Sequence, residues 1–345
     1  MMSTVFLADR KVAIWLLVCC VMLAVMVLLG GLTRLTHSGL SIVEWQPVAG
    51  ALPPLSDADW SDLFTKYQQS PEYRQINLGM ALEDFKGIFW LEYVHRLWGR
   101  AIGLVFAVPF LWLVSSGCIS RAMVPRLLGL FLIGALQGAM GWFMVKSGLV
   151  SDPAVSHYRL AAHLALAFLI HGWMLWLALD VLAANRIVQP FSVPAGGTVK
   201  ALAGIAGLAA VTLVFGALVA GLHAGLIYNT FPLMEGRLIP ADLLRLGWLS
   251  PFEDVKTVQF THRVLALLTL AAVLAGAAAA RRRLASQLPV AVLVMAGTAV
   301  LQVSLGVATL LLMVPVWLAS AHQMGAFLLF SAGLWALHET RLRNG

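Results

Sequence analysis

Charged residues are scarce in this sequence: Asp, Glu, Lys and Arg make up 11% of its 345 residues, whereas hydrophobic residues make up 60%. The mean hydropathy is +0.87. A soluble globular domain of this length does not have such a composition. The sequence is therefore that of a polytopic membrane protein.

Cysteine is scarce as well, with only three residues in the chain. Cys19 and Cys20 lie inside the first apolar run and Cys118 lies at the inner end of another, so no cysteine falls in a predicted outer loop. A disulfide between outer loops is excluded. The spacing and depth of the three thiols favour small apolar packing residues over metal ligands.

Several motifs of nucleotide and hydrolytic chemistry are missing. The sequence has no P-loop, no dinucleotide-binding glycine fingerprint and no serine nucleophile elbow. It has no HExxH pattern either, since Glu92 and His95 are separated by three residues instead of the four between its histidines. The sequence therefore gives no support to nucleotide, serine-hydrolase or zinc chemistry.

Long apolar runs are abundant, and eight of them reach the roughly 20 residues that cross a bilayer as a helix. They predict an all-α polytopic membrane protein with eight transmembrane helices. The first run lacks a small-residue cleavage site, so we interpret it as a retained span. The predicted spans are residues 12–32, 93–115, 127–146, 160–181, 201–221, 261–280, 288–312 and 318–337.

The distribution of charge predicts the orientation. One side of the eight-helix arrangement carries 11 basic and 3 acidic residues, among them Arg186 and Asp9, and the other carries 12 basic and 13 acidic residues. Lys and Arg accumulate in cytoplasmic loops, so both termini are predicted to be cytoplasmic. The net charge of +7 follows from this asymmetry. No nucleic-acid-binding pattern accompanies it.

Ionisable residues cluster at the start of the second span. Glu92 precedes His95 by three residues and Arg96 by four, so a helix places all three on nearly one face. Ionisable residues in a membrane span usually face the bundle interior and mark a functional site. The stretch from Gln259 to Arg263 repeats this pattern with a neutral residue in place of the glutamate.

The two halves of the sequence repeat each other. His37 matches His223 at an offset of 186 residues, and the segment 137–141 matches 302–306 at an offset of 165. Each half contains four predicted spans, so the two four-helix bundles should have parallel topology and relate by a pseudo-twofold axis along the membrane normal. The predicted halves are residues 1–190, with a long outer loop at 37–87, and residues 191–345.

Four histidines form two repeated pairs, each drawn from the second and fourth spans of its own half: His95 with His163, and His262 with His322. Each pair should meet at one depth near the outer side. Two imidazoles that face each other across a four-helix bundle are the arrangement that holds a haem iron. Nearby arginines suit the haem propionates, the alternative being that they extend to lipid head groups. They are Arg34, Arg96, Arg159 and Arg263.

The remaining histidines carry weaker signals. We interpret His157 and His338 as loop and tail residues, and His171 as a packed helix residue instead of one that lines a deeper cavity. His37 and His223 occupy equivalent outer positions, from which they would approach the cofactor edges. The sequence assigns no role to these two residues or to His171.

The long outer loop contains a predicted surface helix. Trp60, Phe64 and Tyr67 recur in it at helical spacing, after Pro53 and Pro54. We expect this helix to lie on the bundle and to cap it. The alternative is a solvated loop.

Five motifs together carry a family resemblance. They are GGLTRLTHSGLSIVEWQP at 30–47, EYVHRLWGR at 92–100, LQGAMGWFMVKSGL at 136–149, HYRLAAHL at 157–164 and QFTHR at 259–263. Between about Val12 and His338 the chain resembles the haem A synthases, eight-helix membrane enzymes of cytochrome oxidase assembly. The lack of outer-loop cysteines resembles the group found in proteobacteria and mitochondria.

The resemblance implies a reaction: oxidation of the methyl at pyrrole carbon C8 of haem O, through a hydroxymethyl haem, to the formyl group of haem A. It implies that the N-terminal half binds haem O between its two histidines and that the C-terminal half holds a haem b cofactor. Only the N-terminal half places a carboxylate before its histidine, which agrees with this assignment. Glu92 is then the predicted catalytic residue, for proton transfer or for stabilising a cationic intermediate.

The resemblance also implies a bacterial inner membrane location, haem O as substrate, haem O synthase as a candidate partner and a homo-oligomer as a candidate assembly. Two other classes stay open. A di-haem b electron-transfer protein would explain the histidine pairs without explaining Glu92, and a two-repeat transporter would explain the topology. For Glu92 itself, the alternative is an ion pair with Arg96 that anchors the helix end.

Overall fold

The computed structural model describes residues 10–45, 49–150, 153, 155–184 and 187–344. Asp9 and Arg186, used in the charge count, and the motif end at 46–47 lie outside these ranges. All regular elements of the described ranges are helical, which confirms the all-α class. The α-helices are α1 Arg10–Leu35, α2 Asp57–Gln68, α3 Pro71–Gln75, α4 Leu82–Ser115, α5 Val124–Gly148, α6 His157–Ala184, α7 Gly196–Gly221, α8 Ser250–Glu253, α9 Val255–Leu284, α10 Val290–Leu311 and α11 Val316–Arg343.

Seven of the long helices are long and apolar enough to cross a membrane, counted over the residues that the structure describes. They correspond to the first seven predicted spans. The eighth predicted span lies in α11, which has the length but does not meet the same measure of hydropathy. Polar residues such as His322 and Gln323 lie in its outer part. The polytopic class is confirmed, and the count of eight spans stays a prediction.

The eight long helices pack as two rings of four. In the first ring α1 and α5 each contact both α4 and α6, so α4 and α6 stand at opposite corners. In the second ring α7 and α10 each contact both α9 and α11. The rings meet where α6 packs against α7 and α11, and where α1 packs against α11. Polar bonds cross this boundary: Gln323 Nε2 donates to Val27 O at 2.6 Å, and Arg34 donates to Ala220 O at 2.7 Å.

The densest packing lies toward the inner end of each ring. In the first ring Leu16, Leu127 and Ala178 are fully buried, and in the second Val273 and Ala336 are. Lipid offers no hydrophobic driving force between membrane helices. Their association therefore depends on close packing of this kind. The outer part of each ring is thereby left to the polar residues of the predicted sites.

A helical cap covers the outer end of α4. The helix α2 begins with a capping box, in which the Ser56 hydroxyl accepts from the Asp59 amide at 3.2 Å and the Asp59 carboxylate accepts from the Ser56 amide at 3.0 Å. Trp60 and Tyr67 of α2 pack against Phe85 of α4, with Trp60–Phe85 centroids 6.4 Å and Tyr67–Phe85 centroids 5.0 Å apart. The predicted surface helix is confirmed and lies on α4, whereas its capping role stays a prediction.

His338 corrects the sequence analysis. It is buried within α11, and its Nε2 lies 2.9 Å from the Asp180 carboxylate of α6, so it is not a tail residue. The helix α11 continues to Arg343, six residues beyond the end of the predicted span, and it carries His338 against α6. His171 is packed between helices as expected, with Nε2 2.8 Å from the Ser331 hydroxyl. His157 begins α6 and lies 3.7 Å from the Glu253 carboxylate.

The cap contains a buried acid. Glu72 of α3 is 3% exposed, and its nearest donor is the Tyr67 hydroxyl at 3.4 Å. Burial chiefly, with the nearby charge of Glu92, raises the pKa of Glu72 to about 8 against the opposing effect of the Tyr67 hydrogen bond. The folded cap therefore holds a neutral carboxyl at neutral pH.

Proton uptake by Glu72 predicts a pH-dependent cap. An unfolded Glu72 loses its proton near pH 4.5, whereas the folded one keeps it to about 8, so the stability of the cap falls as pH rises through this window. We expect protease cleavage of the outer segment to speed up between about pH 5 and about pH 8. Glu72→Gln should flatten this slope, whereas the exposed Glu83→Gln should keep it. An equal slope in wild type and Glu72→Gln would exclude Glu72 as the cause.

Candidate functional site

The structure brings together both predicted histidine pairs. His95 on α4 and His163 on α6 stand on opposite corners of the first ring, and their imidazoles are near enough to interact electrostatically. His262 on α9 and His322 on α11 have the same relation in the second ring. The repeat seen in the sequence is thus a repeat of geometry.

The two imidazoles of the second ring are held in one tautomer. His262 Nδ1 lies 3.1 Å from Thr212 O, and His322 Nδ1 lies 3.2 Å from Gln302 O. Because a carbonyl oxygen only accepts, each Nδ1 must carry the proton, and each Nε2 keeps its lone pair. Histidines that bind a metal usually donate their other ring N–H in this way.

The first ring holds its imidazoles differently. The Gln137 amide donates to His163 O at 3.1 Å and lies 3.3 Å from His163 Nε2. His163 Nδ1 is buried and has no hydrogen-bond partner among the described residues. No backbone carbonyl in that part of the chain fixes the ring of His95 or His163. The imidazoles of the first ring are therefore freer to adjust than those of the second.

A glycine of a neighbouring helix faces each of the four imidazoles. A Cβ at any of these positions would come within 3.3 Å of the ring, closer than nearly all contacts of this kind. The sequence analysis noted two of these glycines as repeated but missed their role, although the offsets of the repeat point to all four. The distances are 3.2 Å for Gly30 to His95, 3.3 Å for Gly141 to His163, 3.0 Å for Gly216 to His262 and 2.7 Å for Gly306 to His322.

These contacts predict that a larger side chain in place of one of the four glycines lowers haem retention. Gly306→Leu should displace His322, and overpacking by about 1–3 kcal/mol should lower the haem content of the purified protein by roughly tenfold or more. Gly297→Leu is the matched control, because Gly297 lies on the same helix with no atom within 4 Å of a Cβ there. The haem absorbance per mole of protein measures the haem content of both variants. Equal haem content in the two variants would contradict the packing role.

Glu92 and Arg96 clamp the outer segment that follows α1. Arg96 Nη2 donates to Glu92 Oε1 at 2.6 Å and to Ile42 O at 2.9 Å. Glu92 Oε2 accepts from the Ser41 hydroxyl at 2.7 Å and from the Ile42 amide at 2.8 Å. Glu92 is 2% exposed, so this ion pair is buried. The anchoring interaction considered from the sequence is present.

Gln259 and Arg263 form the same clamp in the second ring without an acid. Gln259 Nε2 donates to Tyr228 O at 3.0 Å, and Arg263 donates to Tyr228 O at 2.8 Å and to Thr230 O at 2.7 Å. A neutral amide therefore suffices to clamp an outer segment. The two clamps differ in direction, because Glu92 accepts from its outer segment and Gln259 donates to its own.

The four arginines predicted for propionates have different surroundings. Arg96 and Arg263 belong to the clamps, and Arg34 donates to a backbone carbonyl across the ring boundary. Arg159 lies over the Phe143 ring at 4.4 Å, and its guanidinium has no hydrogen bond among the residues that the structure describes. The propionate role stays a prediction, with Arg159 the most available of the four.

His37 and His223 meet at the boundary between the rings. Their rings stack with centroids 6.3 Å apart and planes 13° apart, and their φ values are 50° and 51°. Left-handed backbone is uncommon for residues other than glycine, so its occurrence at both positions extends the repeat to the backbone. The two residues contact each other across the pseudo-twofold axis.

The donor set of each ring fits a haem better than a bare metal ion. Over the described ranges, no group of three or more His, Cys, Asp or Glu side chains could hold a metal ion. Two imidazoles on opposite helices supply the two axial ligands that a six-coordinate haem iron needs. The glycines beside the rings let each imidazole pack directly against the neighbouring helix.

Comparison with known proteins agrees with this geometry. The family model COX15-CtaA, described as "Cytochrome oxidase assembly protein", matches residues 13–334, which include all four paired histidines. The "Heme A synthase" of Paramagnetospirillum magneticum is 63% identical over 333 residues, covering 96% of this chain and 94% of that protein. Those of Nitrosospira multiformis and Rhodospirillum centenum are each 49% identical, covering 97% of this chain and 95% and 89% of their own lengths.

Proposed function

The chain belongs to the COX15-CtaA family of cytochrome oxidase assembly proteins, and on that premise we propose that it oxidises haem O to haem A. The enzyme is an oxidoreductase of the membrane. The C8 methyl of haem O becomes a hydroxymethyl and then a formyl group, a four-electron oxidation in which the first step also adds one oxygen atom; the oxygen atom and the electron acceptor both come from outside the chain. The observation that carries the proposal is a repeated bis-histidine site with a buried carboxylate in only one half.

We assign the substrate to the first ring and a haem b cofactor to the second. A substrate must enter and leave, whereas a cofactor must stay. His262 and His322 are each fixed by a backbone carbonyl, which supports a permanently ligated iron. His95 and His163 lack such bonds in the described part of the chain, which supports exchange of the bound haem. When bound, haem b supplies a redox centre beside the substrate half.

We propose that Glu92 handles a proton released from the substrate. The equivalent clamp of the second ring uses the neutral Gln259, which supports a further role for the Glu92 carboxylate as a base one helical turn from His95. In the resting structure both carboxylate oxygens are bonded, so proton uptake requires that Ser41 or Arg96 release one of them. Arg159 is the proposed partner of a substrate propionate.

Haem extraction tests the function. The chain is produced in a membrane supplied with haem O, purified, and its haems are separated by chromatography. We expect haem b together with haem O, the hydroxymethyl haem or haem A. Haem b alone, in both rings, would replace the proposal with a di-haem electron carrier.

Delivery and assembly are further proposals. Haem O synthase as the donor predicts that the two enzymes co-purify from mild detergent, and a homo-oligomer predicts a mass above that of one chain by native mass spectrometry. A monomer that takes haem O from vesicles at full rate would exclude both.

Location is proposed to be the bacterial inner membrane, with both termini cytoplasmic. The basic residues of the α9 end and of the α11 end support this orientation. We expect reporter fusions at Ser147 or Ser250 to report the outer side, and fusions at Ser120 or Ala285 the cytoplasm. The reverse pattern would place the histidine pairs near the cytoplasmic surface.

A further inference from the structure

The inner ends of α7 and α9 enclose a groove of about 420 Å³ on the side of the second ring. Small residues line its floor, among them Ala201, Gly276 and Ala279. Arg282 and Arg283 line its mouth. The groove lies away from the histidine pairs and takes no part in the proposed reaction.

The groove runs from the charged end of α9 into the apolar part of that helix. Gly276 precedes the arginines by six or seven residues, which is about 10 Å along a helix. A Cβ on Gly276 would lie 2.7 Å from the Ile205 side chain of α7, so glycine permits the close approach of the two helices. Since both helices cross the membrane, the floor lies at the depth of acyl chains and the mouth at the depth of head groups.

The guanidinium groups of Arg282 and Arg283 make the mouth of the groove positively charged. Arg283 Nε donates to Pro194 O at 2.8 Å, which holds its guanidinium so that Nη1 lies 3.9 Å from the position of a Cβ on Gly197. Arg282 is exposed and has no hydrogen bond or ion pair within the described ranges. Nitrogen donors of both side chains are therefore available to a ligand.

No protein acid neutralises this mouth in the part of the chain that the structure describes. The sequences of α7 and α9 contain neither Asp nor Glu. The two described acids of the same membrane side are engaged elsewhere, Asp180 with His338 at 2.9 Å and Glu339 with Arg343 at 3.8 Å. An anion from outside the chain would therefore meet no competing carboxylate among the described residues at this mouth.

We propose that this groove binds an anionic phospholipid, with its phosphate at Arg282 and Arg283 and one acyl chain along the floor of alanines and glycines. Arginine suits phosphate through paired N–H donors, and basic pockets between transmembrane helices bind anionic head groups. A free phosphate ion would use only the mouth. A lipid uses the mouth and the apolar floor together, which matches the shape and depth of the groove.

The test uses the full chain in nanodiscs of phosphatidylglycerol or phosphatidylcholine, with retained lipid measured by native mass spectrometry and stability by thermal unfolding. We expect wild type to retain phosphatidylglycerol selectively and to unfold at a higher temperature with it. The double variant Arg282→Gln, Arg283→Gln should bind it roughly tenfold to thirtyfold more weakly. Arg281→Gln removes one positive charge from the same helix end outside the groove, and it should bind as wild type does. Each single groove variant would bind as wild type does only if the groove is not the site.

Ala201→Phe tests the floor with every charge kept, so it remains informative if the arginine variants fold poorly. It should also lose selective retention of phosphatidylglycerol. Equal losses in Arg281→Gln and the double variant would reduce the effect to general surface charge and overturn the site. Full retention in Ala201→Phe would overturn it as well. If inorganic phosphate stabilises the phosphatidylcholine sample as much as phosphatidylglycerol does, the ligand is a soluble anion and the lipid assignment fails.

Discussion

His262→Ala or His322→Ala removes haem b from the purified protein. In the proposed site each histidine would hold the haem iron from one side, and each imidazole is oriented by its own backbone carbonyl, so loss of either one should release the haem. We expect the haem b absorbance per mole of protein to fall by roughly tenfold or more. Difference spectra of the reduced and oxidised protein measure the loss.

His95→Ala is the matched control for this prediction. It removes the equivalent residue of the first ring, so it should leave the haem b spectrum native while it lowers binding of added haem O. An unchanged haem b content and spectrum in both His262→Ala and His322→Ala would refute the assignment of the second ring. Loss of haem b in His95→Ala alone would reverse the roles of the rings.

Glu92→Gln should abolish most turnover while it spares the cofactor. The amide preserves the size of the side chain and can accept from Arg96, as Gln259 does from Arg263. The Ile42 amide loses its carboxylate acceptor, at a cost of about 1–3 kcal/mol in stability. If the carboxylate takes a proton during the reaction, haem A formation falls by about 10²- to 10⁴-fold. Haem A formed per mole of retained haem b separates turnover from yield.

Gln259, the residue equivalent to Glu92 in the second half, supplies the control for this prediction. Gln259→Glu introduces a carboxylate at the equivalent place in the ring assigned to the cofactor, so its effect on turnover should be far smaller. If Glu92 acts only as an anchor, Glu92→Gln loses protein yield but keeps near-normal turnover by the same ratio. That result would end the case for Glu92 as the catalytic residue.

The sequence predicted the parts of the site that depend on local spacing and repetition. Apolar runs are enough to place the membrane helices, and matching depth on the second and fourth spans of one half is enough to pair His95 with His163. Partners that lie far apart in the chain were not predictable. The prediction that His338 is a tail residue was wrong because its partner Asp180 is 158 residues away on α6. The two clamps were missed because most of their partners are backbone amides and carbonyls, and backbone groups leave no signature in a residue pattern.

The exposure of α5 to lipid decides the units in which the affinity for haem O should be expressed. This helix packs mainly against α4 and α6, and only 6% of its most apolar window is buried, compared with 22% for α10. The first ring therefore borders the hydrocarbon phase through α5 and also through α4, whose most apolar window is 11% buried. For a ligand as apolar as haem O, the solvent from which it binds is then the bilayer. Saturation follows its mole fraction in the lipid, and an affinity expressed per litre of water would change with the amount of membrane in the sample.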